Sequence, residues 1–243
     1  VIKLPVMSHA PVLLKISGEA LRGASDGIFD PAMLARVADE IATAVHGGQP
    51  VAVVVGGGNI IRGKDTRHLD SPRGRADDMG MLATLINAVA LRAAFEHAGL
   101  KSVVVGPSAI PNVALAQDRA QVRQFLQERT VVVFGGGTGQ PFFTTDTAAA
   151  LRAAEIGARC LLKGSQVDGI YDDDPEKNPN AKRYDHISFD EAISRRLKVM
   201  DTAAFALCSE QRIPIRVFDM HQPGAITAAL GPNPPGTLVH QPA

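Results

Sequence analysis

Residues 51–59 read VAVVVGGGN and residues 131–139 read VVVFGGGTG, so a continuous apolar run twice breaks into three glycines. Neither run alternates polar with apolar residues, as a strand with one wet face would. Strands of this kind need cover on both faces, which predicts an α/β fold with a mostly parallel central sheet flanked by helices. Further strand-like runs at 11–16, 101–105, 159–163 and 213–218 alternate with longer amphipathic stretches. Asp30 as cap, Pro31 in the first turn and Gly47 as a left-handed stop bound one helix. A second runs over 78–98 and ends at Gly99, and a third starts near Thr144, Thr145 and Asp146, which offer caps. Residues 164–186 hold Gly164, Gly169, an acidic run at 172–174 and two prolines, and are expected to form a long irregular excursion.

In open α/β sheets ligands sit beyond the carboxyl ends of the strands, where bare glycine backbone can present N–H groups to an anion. One glycine cluster can simply reverse the chain; two at equivalent strand ends point to two phosphate-bearing ligands. Two familiar phosphate motifs fail. Residues 58–65 (GNIIRGKD) miss the P-loop pattern because Asp65 stands where a metal-binding hydroxyl belongs. The dinucleotide fingerprint fails at Ile61, where a small residue is needed.

Lys15 closes the first strand and Lys163 the fifth, so both ammonium groups belong at the carboxyl edge of the sheet. A pair of compact cations there suits the stabilisation of a transferring phosphoryl group. Each alone reads equally as a solvated strand-end residue. Asp146 and Asp201 read either as helix caps or as carboxylates that orient the lysines.

The bulk composition excludes several classes. With 25 Lys and Arg against 25 Asp and Glu, no net charge draws the chain to a polyanion, so nucleic acid is disfavoured as a partner. Cys160 and Cys208 lie in apolar stretches and make no disulfide framework, and the N-terminal residues lack the pattern of a secretory signal. A cytoplasmic, membrane-free protein is expected. The seven histidines show neither metal-ligand nor triad spacing, and the acidic run reads as a solvated loop rather than a metal site. The helix carrying Met79, Met81, Leu82, Leu85, Ile86, Val89 and Leu91 is more apolar than one buried stripe requires. It is either covered all round or a subunit interface.

An ordered set of motifs adds to this reading: LLKISGEAL at 13–21, GGGNIIRG at 56–63, MGMLAT at 79–84, GTGQPFFTTDTAAALRAAEI at 137–156, LKGSQVDGIYDDDP at 162–175 and KVMDTAAF at 198–205. On these residues the chain resembles the bacterial uridylate kinases (UMP kinases) of the amino acid kinase superfamily. The resemblance implies a single domain over 1–243 with an αβα sandwich of the amino acid kinase type, residues 1–10 forming a flexible lead. It also implies a homohexamer and the transfer of a phosphoryl group from ATP to UMP, with Mg²⁺, in pyrimidine nucleotide synthesis.

Carried over by position, Lys15, Ser17, Gly18, Gly58 and Arg62 meet the ATP phosphates, and Ser165, Tyr171 and Asp174 hold adenosine. UMP falls to Gly57, Asp77, Thr138, Gly139, Phe142, Phe143, Thr144 and Thr145. Lys15 and Lys163 become a phosphoryl clamp held by Asp146 and Asp201, the metal being bound by ATP phosphates rather than protein ligands. Gly23, Ala24, Ser25, Asp26, Gly27 and Ile28 correspond to a segment tied to activation by GTP, and UTP is an expected inhibitor. Two departures stand out. Phe29 looks like an extra residue after that segment, and Lys163-Gly164-Ser165 stands where the family has Lys-Ala-Thr, which keeps a hydroxyl but loosens the backbone.

The implied nucleophile is a phosphate monoester, whose second pKa of about 6 makes a general base unnecessary. Carbamate, acetylglutamate and aspartate kinases share the nucleotide half, but the segment at 137–146 argues against their acceptors. A non-catalytic nucleotide sensor is expected to lack a clamp lysine or its carboxylate, and all three are present.

Overall fold

The computed structural model describes residues 10–23, 25–61, 73–175, 177–195, 197 and 200–242. Most of the expected flexible lead lies outside these residues. The first half runs β1 (Val12–Ile16), α1 (Gly18–Arg22), α2 (Pro31–His46), β2 (Val51–Val55), α3 (Arg73–His97), β3 (Ser102–Gly106), β4 (Leu115–Ala116) and α4 (Arg119–Gln127). It continues through β5 (Val131–Phe134), α5 (Thr145–Ile156), β6 (Cys160–Ser165), β7 (Ile170–Tyr171), β8 (Arg183–Tyr184) and β9 (His186–Ser188). The chain closes with α6 (Phe189–Ser194), α7 (Thr202–Glu210), β10 (Ile215–Asp219), α8 (Ala225–Leu230) and β11 (Thr237–His240).

Nine strands form one sheet in the order β4-β3-β5-β2-β1-β6-β10-β11-β9, and within it only the β10–β11 pair is antiparallel. From β1 the chain first builds outward on the β2 side and later returns to place β6 on the other flank. The strand order therefore reverses at β1 and β6, the position where open α/β sheets leave a crevice beyond the strand ends.

Alternate residues of each strand face opposite layers. Leu14, Ile16, Val53, Val133 and Leu162 pack with α2, α3 and α8 on one face. Leu13, Ala52, Val54, Leu161 and Ile215 pack with α4, α5, α6 and α7 on the other. All five residues of β1 and of β2 are buried, as their unbroken apolar runs require. Lys15 and Lys163 continue the series of Leu13 and Leu161, so both rise toward the layer of α5.

Several local expectations change. Asp30 caps α2 by accepting from Ala32 N at 2.9 Å, but Gly47 has right-handed φ −70°, and Gly48 with φ +95° carries the left-handed step. The second predicted helix extends five residues further back, to Arg73. The excursion after β6 is not wholly irregular, because β7 and β8 pair antiparallel within it. Gly164 does not loosen β6. It is registered against Phe218 of β10, and a Cβ on it would stand 2.7 Å from Met220 Sδ, so Met220 occupies the space an alanine methyl would take. Phe29 packs on the core beside α2 and is accounted for by burial.

By length and composition α3 could cross a bilayer. In the fold it lies against β2, β3 and β5 and buries Thr84 and Asn87 on that side.

Candidate active site

The register of β1 with β6 sets Lys15 directly opposite Lys163. In a parallel pair, residues in register point to the same face, so the two ammonium groups converge on the N-terminal turn of α5. Thr144 caps that helix, accepting from Asp146 N at 3.0 Å and Thr147 N at 3.3 Å. Asp146 is thus freed from capping, and its carboxylate bridges the lysines. Lys163 Nζ donates to Oδ2 at 2.8 Å, while Lys15 Nζ lies 2.9 Å from Oδ1 as an ion contact outside hydrogen-bonding angles. The three side chains are 10%, 14% and 15% exposed for Lys15, Lys163 and Asp146. Water therefore screens the cluster weakly, yet its edge stays open.

The electrostatics follow from this geometry. Burial pushes the Asp146 carboxyl up, but Lys15 and Lys163 together outweigh it and hold it below its ordinary range. Burial pulls the Lys163 ammonium down, Lys15 adds to that, and Asp146 restores only part, so its pKa lies below the usual 10.5. A single carboxylate between two cations leaves the cluster positive. Because an ammonium carries three donors, a lysine can hold Asp146 and an incoming phosphoryl oxygen at once.

Asp201 is the N-cap of α7, accepting from Ala204 N at 2.8 Å. It also accepts from Thr144 Oγ1 and from Thr147 Oγ1 at 2.8 Å, and its charge acts on Lys163. Asp201 therefore ties α7 to the first turn of α5 without touching either lysine. Thr147 is a member of this cluster that sequence reasoning missed; its only signal was a hydroxyl three residues beyond the cap.

The first glycine turn closes over the same edge. Ser17 caps α1, accepting from Ala20 N at 3.2 Å. At Gly18 a Cβ would lie 2.5 Å from Asn59 Oδ1 and 2.7 Å from Gly56 O, so only glycine lets these two strand ends meet. Gly57 and Gly58 follow in that turn. Asn59 and Asn87 exchange amide hydrogen bonds at 2.7 and 3.1 Å, and Asn87 also donates to Gly56 O at 2.6 Å, pinning the turn to α3. Arg62 lies outside the described residues.

The second glycine turn lies on the far side of β2, at the end of β5. Gly136 N donates to Thr84 Oγ1 at 2.7 Å, and Gly136, Gly137 and Gly139 all have positive φ. Thr138 Oγ1 donates to Gln140 O at 3.1 Å. Asp77, in the opening turns of α3, accepts from Phe142 N at 2.8 Å, and Arg73 lies over the Phe142 ring. Phe142 and Phe143 are exposed, and Thr145 Oγ1 lies beside Gly56. The two turns thus meet at the clamp through the start of α5.

Ser165 ends β6 next to Asp219 of β10. Tyr171 donates to Asp168 Oδ1 at 2.7 Å, which raises the phenol pKa, and Asp174 pairs with Lys177 at 2.9 Å. These three residues sit on β6 and the excursion after it, on the side of the clamp away from the second glycine turn. Gly23, Ser25, Asp26, Gly27 and Ile28 form a tight bend in which Gly27 N donates to Ser25 Oγ at 3.0 Å. Ile28 O accepts from Asn59 Nδ2 at 2.9 Å, which joins this bend to the first glycine turn; Ala24 lies outside the described residues.

No group of three or more His, Cys, Asp or Glu among the described residues is placed to hold a metal ion. The carboxylates nearest the clamp are already engaged, Asp146 by lysines and Asp201 by hydroxyls and a backbone N–H. Among the described residues the donor set therefore does not fit a Mg²⁺ site.

The amino acid kinase family model matches residues 10–219. The chain belongs to the amino acid kinase family. Solved structures agree over nearly the whole length. UMP kinase from Ureaplasma parvum superposes with TM-score 0.91 at 38% identity, covering 96% of this chain and 99% of that one. UMP kinase from Bacillus anthracis gives 0.93 at 33% identity, covering 96% and 97%. Uridylate kinase from Archaeoglobus fulgidus gives 0.73 at 27% identity, covering 94% and 99%. With this family and these neighbours, the chain is a transferase of the kinase type.

Proposed function

We propose that this kinase transfers the γ-phosphoryl group of ATP to UMP, giving ADP and UDP, as a single-domain cytoplasmic enzyme of pyrimidine nucleotide synthesis. The observation that carries the reading is the bridge from Lys15 through Asp146 to Lys163, set between two glycine turns. Two phosphates repel, so the catalytic problem is to bring them in line and to place cations where charge gathers. Lys15, with the backbone of Gly18 and Gly58, receives the donor phosphates. Ser165, Tyr171 and Asp174 lie on the flank assigned to adenosine. The acceptor occupies the turn at 138–145 with Gly57 and Asp77. Lys163 faces the phosphoryl group passed between them, and Asp146 aims both ammonium groups. Since the acceptor is already a dianion, no protein base is needed. Further charge neutralisation would come from Mg²⁺ bound with the nucleotide phosphates.

The similarity to two UMP kinases above 30% identity supports UMP over small carboxylates as acceptor. Coupled ADP release is the test: turnover with UMP and none with carbamate or acetylglutamate is expected. Multiple-turnover ADP formation on a carboxylate but not on UMP would overturn the assignment. Regulation by GTP and UTP through the bend at 23–28 and assembly as a homohexamer belong to the same proposal.

A further inference from the structure

The second glycine turn has no side chain of its own between Gly135 and Gly139 except Thr138. Three of its residues have positive φ, so the backbone has many alternatives and must be fixed from outside. Thr84 of α3 fixes one end through Gly136 N. A further polar contact comes from Arg152, which the proposed mechanism does not use. Its side chain is 6% exposed, lies over the Phe134 ring, pairs with Glu155 Oε2 at 2.8 Å and donates from Nη2 to Gly137 O at 3.3 Å. Glu155 in turn accepts from Gln117 Nε2, and its carbonyl accepts from Arg123 Nη2 at 2.8 Å. Elements α4, α5 and the segment after β4 thus converge to hold one guanidinium against one carbonyl.

That carbonyl belongs to the same planar peptide unit as the N–H of Thr138. In a trans peptide the two point in opposite directions. A carbonyl drawn toward Arg152 turns the Thr138 N–H away from it, and that N–H has no acceptor among the described residues. We propose that Arg152, braced by Glu155 and Gln117, is a positioning residue that orients the Gly137–Thr138 peptide so that its N–H meets the phosphate acceptor. The inference rests on the reading of the turn as the acceptor site. A polar cavity of about 430 Å³ beside Arg152, Gln117 and Thr138 gives the unbraced peptide room to flip.

Steady-state kinetics on purified variants test this. In Arg152→Met/Glu155→Gln, where neither charge is left buried alone, KM for UMP is expected to rise roughly tenfold, about the worth of one lost hydrogen bond. KM for ATP and kcat at saturating UMP should stay within about twofold, because the clamp is untouched. Gln117→Ala, a milder change at a half-buried residue, should raise KM for UMP by about threefold, and Arg152→Lys should recover part of the loss. An unchanged KM for UMP in the folded double variant, or parallel changes in both KM values, would overturn the role of Arg152. Absence of UMP-dependent turnover in the wild-type protein would instead sink the acceptor assignment itself.

Discussion

At single residues, Lys163 makes activity depend on pH in a specific direction. Lys163 has a folded-state pKa below 10.5, depressed first by burial and then by Lys15. For a lysine so shifted, the folded state loses its proton earlier than the unfolded state as pH rises. Burial of the charged form thus costs stability at neutral pH, and that cost is relieved between the two pKa values. Catalysis moves the other way, since only the ammonium stabilises the phosphoryl oxygens. The alkaline limb of kcat/KM, which reports the free enzyme, should therefore fall below pH 10.5, and Lys163→Arg, which stays charged, should shift that limb upward even as its planar fork lowers turnover. A limb unmoved by the substitution would show that another group titrates. Asp146 is depressed, so its stabilising contribution is present above its unfolded value of 3.8 and is lost as pH falls through its lower folded value.

At individual elements, α3 and α5 deliver the site. The buried Asn59–Asn87 pair locks the first glycine turn to α3, and a buried amide left without its partner costs about 1–3 kcal/mol. Asn87→Leu should therefore lower stability by about 2 kcal/mol, as read from the denaturant midpoint, and raise KM for ATP. Full stability would mean that the turn is held by other contacts. The elements themselves were largely legible in the sequence. Continuous apolar runs marked β1, β2, β3, β5, β6 and β10 to within two residues, because most of each strand is buried on both faces. β4, β7, β8, β9 and β11 were not marked, since runs of two to four residues carry too little periodicity and depend on their neighbours. Lys15, Asp146 and Lys163 stood out as chemistry-bearing residues, whereas their convergence depends on strand register. The long-range partners Thr84, Asn87 and Arg152 had no local signal. Each is a polar residue on a helix whose value depends on which turn the fold brings to it.

For the molecule as a whole, α3 presents a second apolar face. Leu82, Ile86 and Val89 are 58%, 52% and 42% exposed and recur at helical spacing, opposite the buried Ala83, Asn87 and Leu91. The proposed homo-oligomer would cover this stripe with a second copy. Ile86→Glu should then lower the sedimentation coefficient toward that of the 25.6 kDa chain without unfolding it. A coefficient unchanged by that charge would place the interface elsewhere. The two buried thiols, pushed up to about 11 at Cys160 and about 12 at Cys208, are packing groups with no part in this assembly or the chemistry.

The phosphoryl clamp is best tested by kcat at saturating ATP and UMP for Lys15→Met, Lys163→Met and Asp146→Asn, each verified as folded by circular dichroism. Every one should fall by at least about a hundredfold, because the cations or their aim are lost at the transferring group. If any folded lysine variant keeps turnover within about threefold of wild type, that lysine does not act on the transferring phosphate and the clamp is wrong.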